Sequence, residues 1–260
     1  MSERNGFQPG VPSWVDTWQP DADAAAAFYT ELFGWEAEDT MPPEVPGRHF
    51  MCRLRDRDVA AIASRPGSAP DQTAWGTYVQ VENVEEAAER ARAAGGSVLM
   101  EPFDALDGGR IAVLADPAGA AIGVWQPERH RGAELVNEPG AWAMSALATP
   151  DPDAAKAFYA RVFGWETDDF GPVTIWRLPG YVGGEPDQPV PRDVVAVMTP
   201  GDSAAWMVNF WVDDVERTAS HAEELGGRVL SPPAADGVGV TAVLADPQGA
   251  AFSVSRVVPR

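Results

Sequence analysis

The stretch PDADAAAAFYTELFGW at residues 20–35 recurs as PDPDAAKAFYARVFGW at residues 150–165, so that Phe158 lies 130 residues after Phe28. The block LADPAGAAI at 114–122 recurs as LADPQGAAF at 244–252 with the same offset. Between them, VENVEEAAERARAAGGSVL matches VDDVERTASHAEELGGRVL at an offset of 131 residues. Three blocks repeated in one order at a domain-sized spacing predict a tandem duplication, not a solenoid of short repeats.

Each copy shows the rhythm of one strand, one helix and three strands, twice over. SWVDTWQ (13–19) alternates and is rich in β-formers, so it predicts a strand. Asp21 is a suitable N-cap for the helix that follows, and Gly34 a suitable C-terminal stop. The rhythm restarts at TYVQVEN (77–83). The sequence therefore predicts an α+β fold of four βαβββ units, arranged two by two.

The predicted boundaries follow from the repeat and from a polar segment between its copies. We expect a first module at 11–127, a linker at 128–140 and a second module at 141–258. The linker sequence, ERHRGAELVNEPG, lies between Pro127 and the first strand of the second copy.

Two motifs resemble those of the vicinal-oxygen-chelate superfamily of glyoxalases, bleomycin-resistance proteins and extradiol dioxygenases. They are AFYxxxFGW after the first strand and D-P-x-G between the last two strands, and the resemblance spans 11–126 and 141–257. It implies that each module curls eight strands into a U-shaped cup, with helices outside and a ligand, often with a divalent metal, inside.

The motif residues also suit purely structural roles. Phe28 and Phe158 fit one face of a helix that packs on a sheet. Asp116 and Asp246 are expected to bond to turn amides, as Asp commonly does before Pro and Gly. The motifs therefore identify the fold and do not by themselves imply catalysis.

The resemblance also implies where metal ligands would lie: His, Glu or Gln on cup-facing positions of the first, fifth and eighth strands, with a further ligand from the fourth. None of the matching places in this chain holds a carboxylate or an imidazole. They are Trp14, Gly76 and Gly123 in the first module and Met144, Met207 and Ser253 in the second. The three histidines, His49, His130 and His221, do not form a set. We therefore expect no metal and no cofactor.

Strand alternation predicts which side chains face each cup. In the first cup these are Trp14, Asp16, Trp18, Tyr78, Gln80 and Trp125. In the second they are Trp142, Met144, Ala146, Asn209, Trp211, Ser253 and Ser255, with Trp176 a further candidate whose phase the pattern leaves open. Aromatic walls with a few polar groups suit a planar, largely apolar ligand. The alternative is that the tryptophans fill the cups or cover an interface between the modules.

The first cup is predicted to be the better ligand site. Asp16 lies between Trp14 and Trp18 on one face, where it could accept a hydrogen bond from a ligand. An anionic ligand is disfavoured there, because Asp16 and the overall charge both oppose it.

Composition and charge limit the classes of partner that the chain is expected to bind. The chain has 260 residues, a formal net charge of −20 and a pI near 4.4. Such a charge disfavours nucleic acid and anionic membranes as partners. The sequence shows no apolar leader or membrane-spanning run, so we expect the cytoplasm. Cys52, the single cysteine, is expected to be a buried structural thiol. The chain could be a monomer or a homodimer.

Two functions stay open on this basis, and a third is disfavoured. The first is a metal-independent protein that binds an aromatic or apolar metabolite or antibiotic in a cup. The second is an enzyme, such as a lyase, isomerase or hydroxylase-like tailoring protein, that uses Asp16 or His49 as a general acid or base. The third, a glyoxalase-like metal enzyme, lacks its metal ligands.

Overall fold

The computed structural model describes residues 3–67, 73–105, 107–183, 192–235 and 239–257. Two eight-stranded sheets, each with two helices, account for most of this chain. The first half contains β1 (Pro12–Gln19), α1 (Ala22–Phe33), β2 (Glu36–Asp39), β3 (His49–Leu54), β4 (Arg57–Ser64), β5 (Trp75–Gln80), α2 (Val84–Ala93), β6 (Ser97–Ala105), β7 (Gly109–Ala115) and β8 (Ala121–Pro127).

The second half repeats this order. It contains β9 (Trp142–Thr149), α3 (Pro152–Phe163), β10 (Glu166–Phe170), β11 (Val173–Arg177), β12 (Val194–Pro200), β13 (Ala205–Trp211), α4 (Val215–Glu224), β14 (Arg228–Ala235), β15 (Gly239–Ala245) and β16 (Ala251–Val257). The predicted α+β fold of two tandem βαβββ pairs is confirmed. The expected end of the second module, residue 258, lies outside the described residues.

The strand order is β2-β3-β4-β1-β5-β8-β7-β6 in the first sheet and β10-β11-β12-β9-β13-β16-β15-β14 in the second. Each sheet therefore takes its strands from one half of the chain, and each cup forms within one module. β1 pairs with β4 in parallel and with β5 antiparallel, which joins the two βαβββ units edge to edge. The sheets curl without closing.

The helices begin and end where the sequence predicts. The Asp21 side chain accepts a hydrogen bond from the Ala24 amide at 3.0 Å, and Gly34 takes a left-handed conformation with φ of 70°. Asp151 and Gly164 cap α3 in the same way. In the described chain, no helix is long and apolar enough to cross a membrane.

The ladder registers determine which side chains share a cup. Residues directly opposite each other in neighbouring strands lie on the same face. Asp16 pairs with Ala61 on one side and Gly76 on the other, while Tyr78 pairs with Trp14 and Gly123. The intervening residues, such as Val15, Val79 and Val124, are fully buried on the opposite face. The cup-facing phase predicted for these strands is the one observed.

Trp176, a further candidate for the second cup, does not face that cup. Its ring is fully buried on the helix side of the sheet, 5.0 Å from the Tyr159 ring and close to Trp165 and Trp206. Its neighbour Ile175 faces the cup instead. The strand phase, which the sequence left open, therefore places this tryptophan in the core.

The outer faces of the two modules pack against each other. The Phe33 ring at the end of α1 lies 4.9 Å from the Phe210 ring of β13, and Tyr29 lies 5.6 Å from Phe252 of β16. The Trp35 indole donates a hydrogen bond across the border to the Gly140 carbonyl at 2.7 Å. The AFYxxxFGW motif is therefore core, as predicted, and the core that it joins is the contact between modules.

Candidate ligand site

Aromatic rings of the protein itself fill the first cup. Trp14, Tyr78 and Trp125 are all buried. The His130 ring, from the segment after β8, inserts edge-on with its centroid 4.3 Å from that of Trp14. The Trp125 indole donates a hydrogen bond to the His130 carbonyl at 3.0 Å, which holds this segment over the cup. The part of the first cup around Trp14 therefore has little room for a ligand in this conformation.

Gly123 allows Tyr78 to lie flat against the cup wall. A Cβ atom at position 123 would lie only 2.1 Å from Cδ1 of the Tyr78 ring, well inside van der Waals contact. A glycine is therefore required beneath the ring. The tyrosine occupies the space that a side chain of the eighth strand would otherwise take.

Asp16 holds a proton unusually tightly for a carboxylic acid. Burial raises its pKa to about 7, although the Tyr78 hydroxyl and the Trp18 indole act as hydrogen-bond partners that favour the charged form. Burial and the Asp16 charge together raise the pKa of Tyr78 well above its usual value. Asp16 could thus give or take a proton near neutral pH, and its side chain keeps partial exposure beside Trp18.

His49 lies one row further along the same cup. It pairs with Ala63, which in turn pairs with Trp18. Its Nδ1 shares a hydrogen bond of 2.9 Å with the Thr40 hydroxyl, and burial lowers its pKa. The structure therefore places His49 and Asp16 in the same cup, on neighbouring rows.

Gln80 holds the N-terminal segment. It is buried, and its Nε2 donates a hydrogen bond to the Phe7 carbonyl. Its Oε1 is buried and has no hydrogen-bond partner among the described residues. Its amide therefore anchors the segment that leads to the cavity described next.

The second cup contains a cavity of about 510 Å³. Trp142, Met144, Ala146, Asn209, Trp211, Ser253 and Ser255, all predicted to face this cup, line it. Phe7 and Val11 of the N-terminal segment and Val136 and Asn137 of the linker complete the wall, together with Tyr181. Sequence patterns did not find these last residues, because they come from loops with no strand phase.

Polar side chains form a small hydrogen-bonded group on the cavity wall. The Asn209 Nδ2 donates to the Ser253 hydroxyl at 2.9 Å, and the Ser255 hydroxyl donates to the Asn209 Oδ1 at 2.8 Å. Asn209 pairs with Ser253 in the ladder, which brings these groups together. They give this part of the cavity wall a place to orient a polar atom of a ligand.

Side-chain size explains why the second cup is open and the first is filled. At the 130- and 131-residue offsets, Met144 takes the place of Trp14, Asn209 that of Tyr78 and Ser255 that of Trp125. The first cup was expected to be the better site on its polar and aromatic content. In the structure its larger rings, Trp14, Tyr78 and Trp125, are buried, whereas the smaller side chains of the second cup line an open cavity.

The positions at which the family resemblance predicts metal ligands do not suit a divalent cation. Trp14, Gly76 and Gly123 in one module and Met144, Met207 and Ser253 in the other lack imidazole and carboxylate groups. Across the described residues, no group of three or more His, Cys, Asp or Glu side chains is arranged to hold a metal ion. Cys52 is buried with its pKa raised to about 12, as expected for a structural thiol.

Comparison with known proteins places the chain in a family. Residues 13–124 match the model of the glyoxalase/bleomycin resistance protein/dioxygenase superfamily, and residues 132–255 match that of a glyoxalase-like domain. A Mycobacterium tuberculosis protein named "Putative glyoxylase CFP32" is 39% identical over the full length of both chains. The anthracycline biosynthesis protein DnrV of Streptomyces peucetius is 37% identical, over 95% of this chain and 94% of its own.

A solved structure with the same fold is the Mn(II)-bound glyoxalase from Novosphingobium aromaticivorans. It superposes with a TM-score of 0.63 at 17% identity, over 95% of this chain and 82% of its own. At that identity the likeness concerns the fold alone. With both modules matched by family models and full-length relatives at 37–39% identity, the chain belongs to the glyoxalase/bleomycin resistance protein/dioxygenase superfamily.

Proposed function

We propose that this chain is a metal-independent small-molecule-binding protein whose site is the cup of the second module. The observation that carries the proposal is the cavity of about 510 Å³ lined by Trp142, Trp211 and Met144. Its volume is within the range of about 300–1,000 Å³ that is usual for small-molecule sites.

The walls favour a flat, largely apolar ligand. Trp211 is half-buried and lines the cavity, so its indole can contribute stacking area to a ligand. Ala146, Val197 and Ile175 add apolar surface from three adjacent strands. Asn209 and the two serines bonded to it offer hydrogen bonds at one place on the wall. Such a site supplies stacking area for a ring system and a polar group that fixes its orientation.

The named role of one relative is consistent with this ligand class. DnrV is an anthracycline biosynthesis protein, and anthracyclines are polycyclic aromatic compounds. We extend to this chain only the ligand class, a planar polycyclic aromatic molecule.

The proposal is tested by tryptophan fluorescence titration with anthraquinone-2-carboxamide, a planar probe without charge, in buffer containing EDTA. We expect saturable quenching that Trp211→Ala weakens about tenfold, because a stacked ring and its buried area are lost. Trp18→Ala, the matched change in the first cup, should leave the affinity unchanged. Binding that depends on Trp18 and not on Trp211 would instead identify the first cup as the site.

The alternative function is an enzyme that uses Asp16 for proton transfer in the first cup. The raised pKa of Asp16, about 7, favours it, since a general acid or base works best with a pKa near the operating pH. His49 lies in the same cup.

Liquid chromatography with mass spectrometry of the probe recovered after incubation separates the two functions. An unchanged retention time and mass support binding, because an isomerised probe would keep its mass but elute differently. A converted probe whose formation is lost in Asp16→Asn supports catalysis in the first cup.

A further inference from the structure

The described residues that line the second cup carry a net charge opposite in sign to that of the whole protein. The chain has 39 acidic and 19 basic residues, so a random surface patch should be acidic. The cavity is lined by three arginines, Arg4, Arg192 and Arg256. No aspartate or glutamate is among the described residues that line it.

These arginines come from three distant parts of the sequence. Arg4 lies in the N-terminal segment, Arg192 two residues before β12 and Arg256 near the end of β16. Convergence of three separate segments on one opening is a property of the fold, not of a local basic run. The N-terminal segment reaches the cavity because Gln80 and the Gly10 backbone fix it to β5.

The guanidinium groups are placed to meet a ligand at the mouth of the cavity. Arg192 and Arg256 are exposed, while other residues of the lining, such as Val195 and Trp142, are buried. The Arg192 Nε donates to the Gly183 carbonyl at 3.0 Å, which fixes the side chain. No carboxylate in the described part of the chain pairs with Arg192 or Arg256. Arg4 lies near Tyr181, since its charge acts on that hydroxyl.

We propose that the ligand of the second cup is an amphipathic organic acid, whose flat apolar body lies in the cavity and whose carboxylate lies among Arg4, Arg192 and Arg256. This inference rests on the proposed function and adds the charge of the ligand. Guanidinium groups bind carboxylates through paired, charge-assisted hydrogen bonds. With a net charge of −20, the protein repels anions at long range, so a local cationic mouth is needed to admit one.

An acidic ligand is the opposite of what is expected for the first cup, where Asp16 opposes an anion. The second module has Ala146 in the place of Asp16. The charge that disfavoured an acid is therefore absent from the position equivalent to Asp16 in the open cup.

The test compares two probes that differ only in charge, anthraquinone-2-carboxylate and anthraquinone-2-carboxamide. In the intact protein at low salt, we expect the acid to bind at least about tenfold more tightly than the amide. Two or three ion pairs, each increasing the affinity a few-fold, would together give this preference. Because exposed charges are screened by salt, the preference should shrink in 0.5 M NaCl. This comparison needs no variant, so it does not depend on any mutant folding.

Variants then locate the charges. Arg192→Gln and Arg256→Gln should each reduce the ratio of acid affinity to amide affinity about threefold. Arg129→Gln, an exposed arginine outside this cavity, is the matched control and should change neither affinity.

The outcomes separate the two proposals. If the amide binds as tightly as the acid, or if the preference is unaffected by both arginine changes, the ligand is not an acid held here, and the binding function stands. If neither probe binds, the proposed function fails and this inference fails with it.

Discussion

The Tyr29 hydroxyl of the first module donates a hydrogen bond to the Asp246 carboxylate of the second at 3.0 Å. The Tyr159 hydroxyl of the second module donates the equivalent bond to the Asp116 carboxylate of the first at 3.3 Å. The other carboxylate oxygen of Asp246 accepts the amides of Gln248 and Ala250, both at 2.9 Å. The tyrosine of AFYxxxFGW in each module is thus bonded to the aspartate of D-P-x-G in the other. The two motifs that identify the family also join its two modules.

Removing the Tyr29 hydroxyl should destabilise the whole chain. Burial raises the pKa of Tyr29 well above its usual value, so the hydroxyl stays protonated and donates. Tyr29→Phe leaves the Asp246 oxygen and the Trp75 indole, which donates to the hydroxyl at 2.8 Å, each short of a partner. We expect a loss of about 1.5–3 kcal/mol in the free energy of unfolding, measured in urea. Tyr181→Phe, at the half-buried cavity wall, should cost about 0.5 kcal/mol or less. Equal effects of the two changes would contradict the special role of Tyr29.

The sequence predicted the fold because its signals are local or repeated. The caps at Asp21 and Gly34, the strand alternation around Asp16 and the 130-residue offset each depend on residues close in sequence or on identity between copies. The turn role of Asp116 was predicted on the same basis and is confirmed by its bonds to the amides of Ala118 and Ala120, both at 2.9 Å. The bond from Tyr159 to that same carboxylate depends on how two modules dock, which no local pattern encodes.

The site was harder to predict for the same reason. Alternation assigned Trp14, Tyr78 and Asn209 to cup faces, yet it gave no measure of how much room each cup retains. The segment bearing His130, the N-terminal residue Phe7 and Tyr181 close or shape the cups from outside the strands. Comparing the volumes of Trp14 with Met144, and of Trp125 with Ser255, was the available signal for the open cup.

Filling the space beneath Tyr78 should be costly. A Cβ at position 123 would lie 2.1 Å from the Tyr78 ring, which is itself packed in the first cup, so the ring must shift. Gly123→Ala is expected to lower the free energy of unfolding by about 1–3 kcal/mol, as overpacking of cores does. Gly67→Ala, where a Cβ meets no atom within 4 Å, is the control. If thermal unfolding shows equal stability for both variants, the first cup is looser than the structure indicates.

Asp16 should make the protein less stable as the pH rises. Its pKa is about 7 in the folded state against an ordinary value of 3.8, so its favourable contribution is complete below pH 4 and is lost as the pH rises towards 7. Relative to the wild type, Asp16→Asn should therefore gain stability as the pH rises from 4 to 7. The full difference in the free energy of unfolding, up to about 4 kcal/mol, is expected above pH 7. Asp213→Asn, an exposed carboxylate, is the control for the loss of one charge.

Thermal melts of wild type and variant across pH 4–8 provide the measurement for Asp16. A stability difference that stays constant over this range would mean that Asp16 is solvated, and the proton-transfer alternative would lose its support.

The pH dependence of stability that His130 contributes should be opposite in sign to that of Asp16. Burial is the main cause that lowers its pKa from 6.5 to about 4, so the ring is neutral in the filled cup. Its favourable contribution is complete above pH 6.5 and is lost as the pH falls towards 4, because protonation then favours states in which the ring is in water. His130→Phe keeps an aromatic ring beside Trp14 and removes the titration. Relative to this variant, the wild type should lose stability between pH 6.5 and pH 4, by up to about 3 kcal/mol.

His221→Phe, on α4 beside Glu224, is the control for loss of a histidine. Melting temperatures of wild type and His130→Phe that run parallel from pH 7 to pH 4 would show that this ring does not close the first cup.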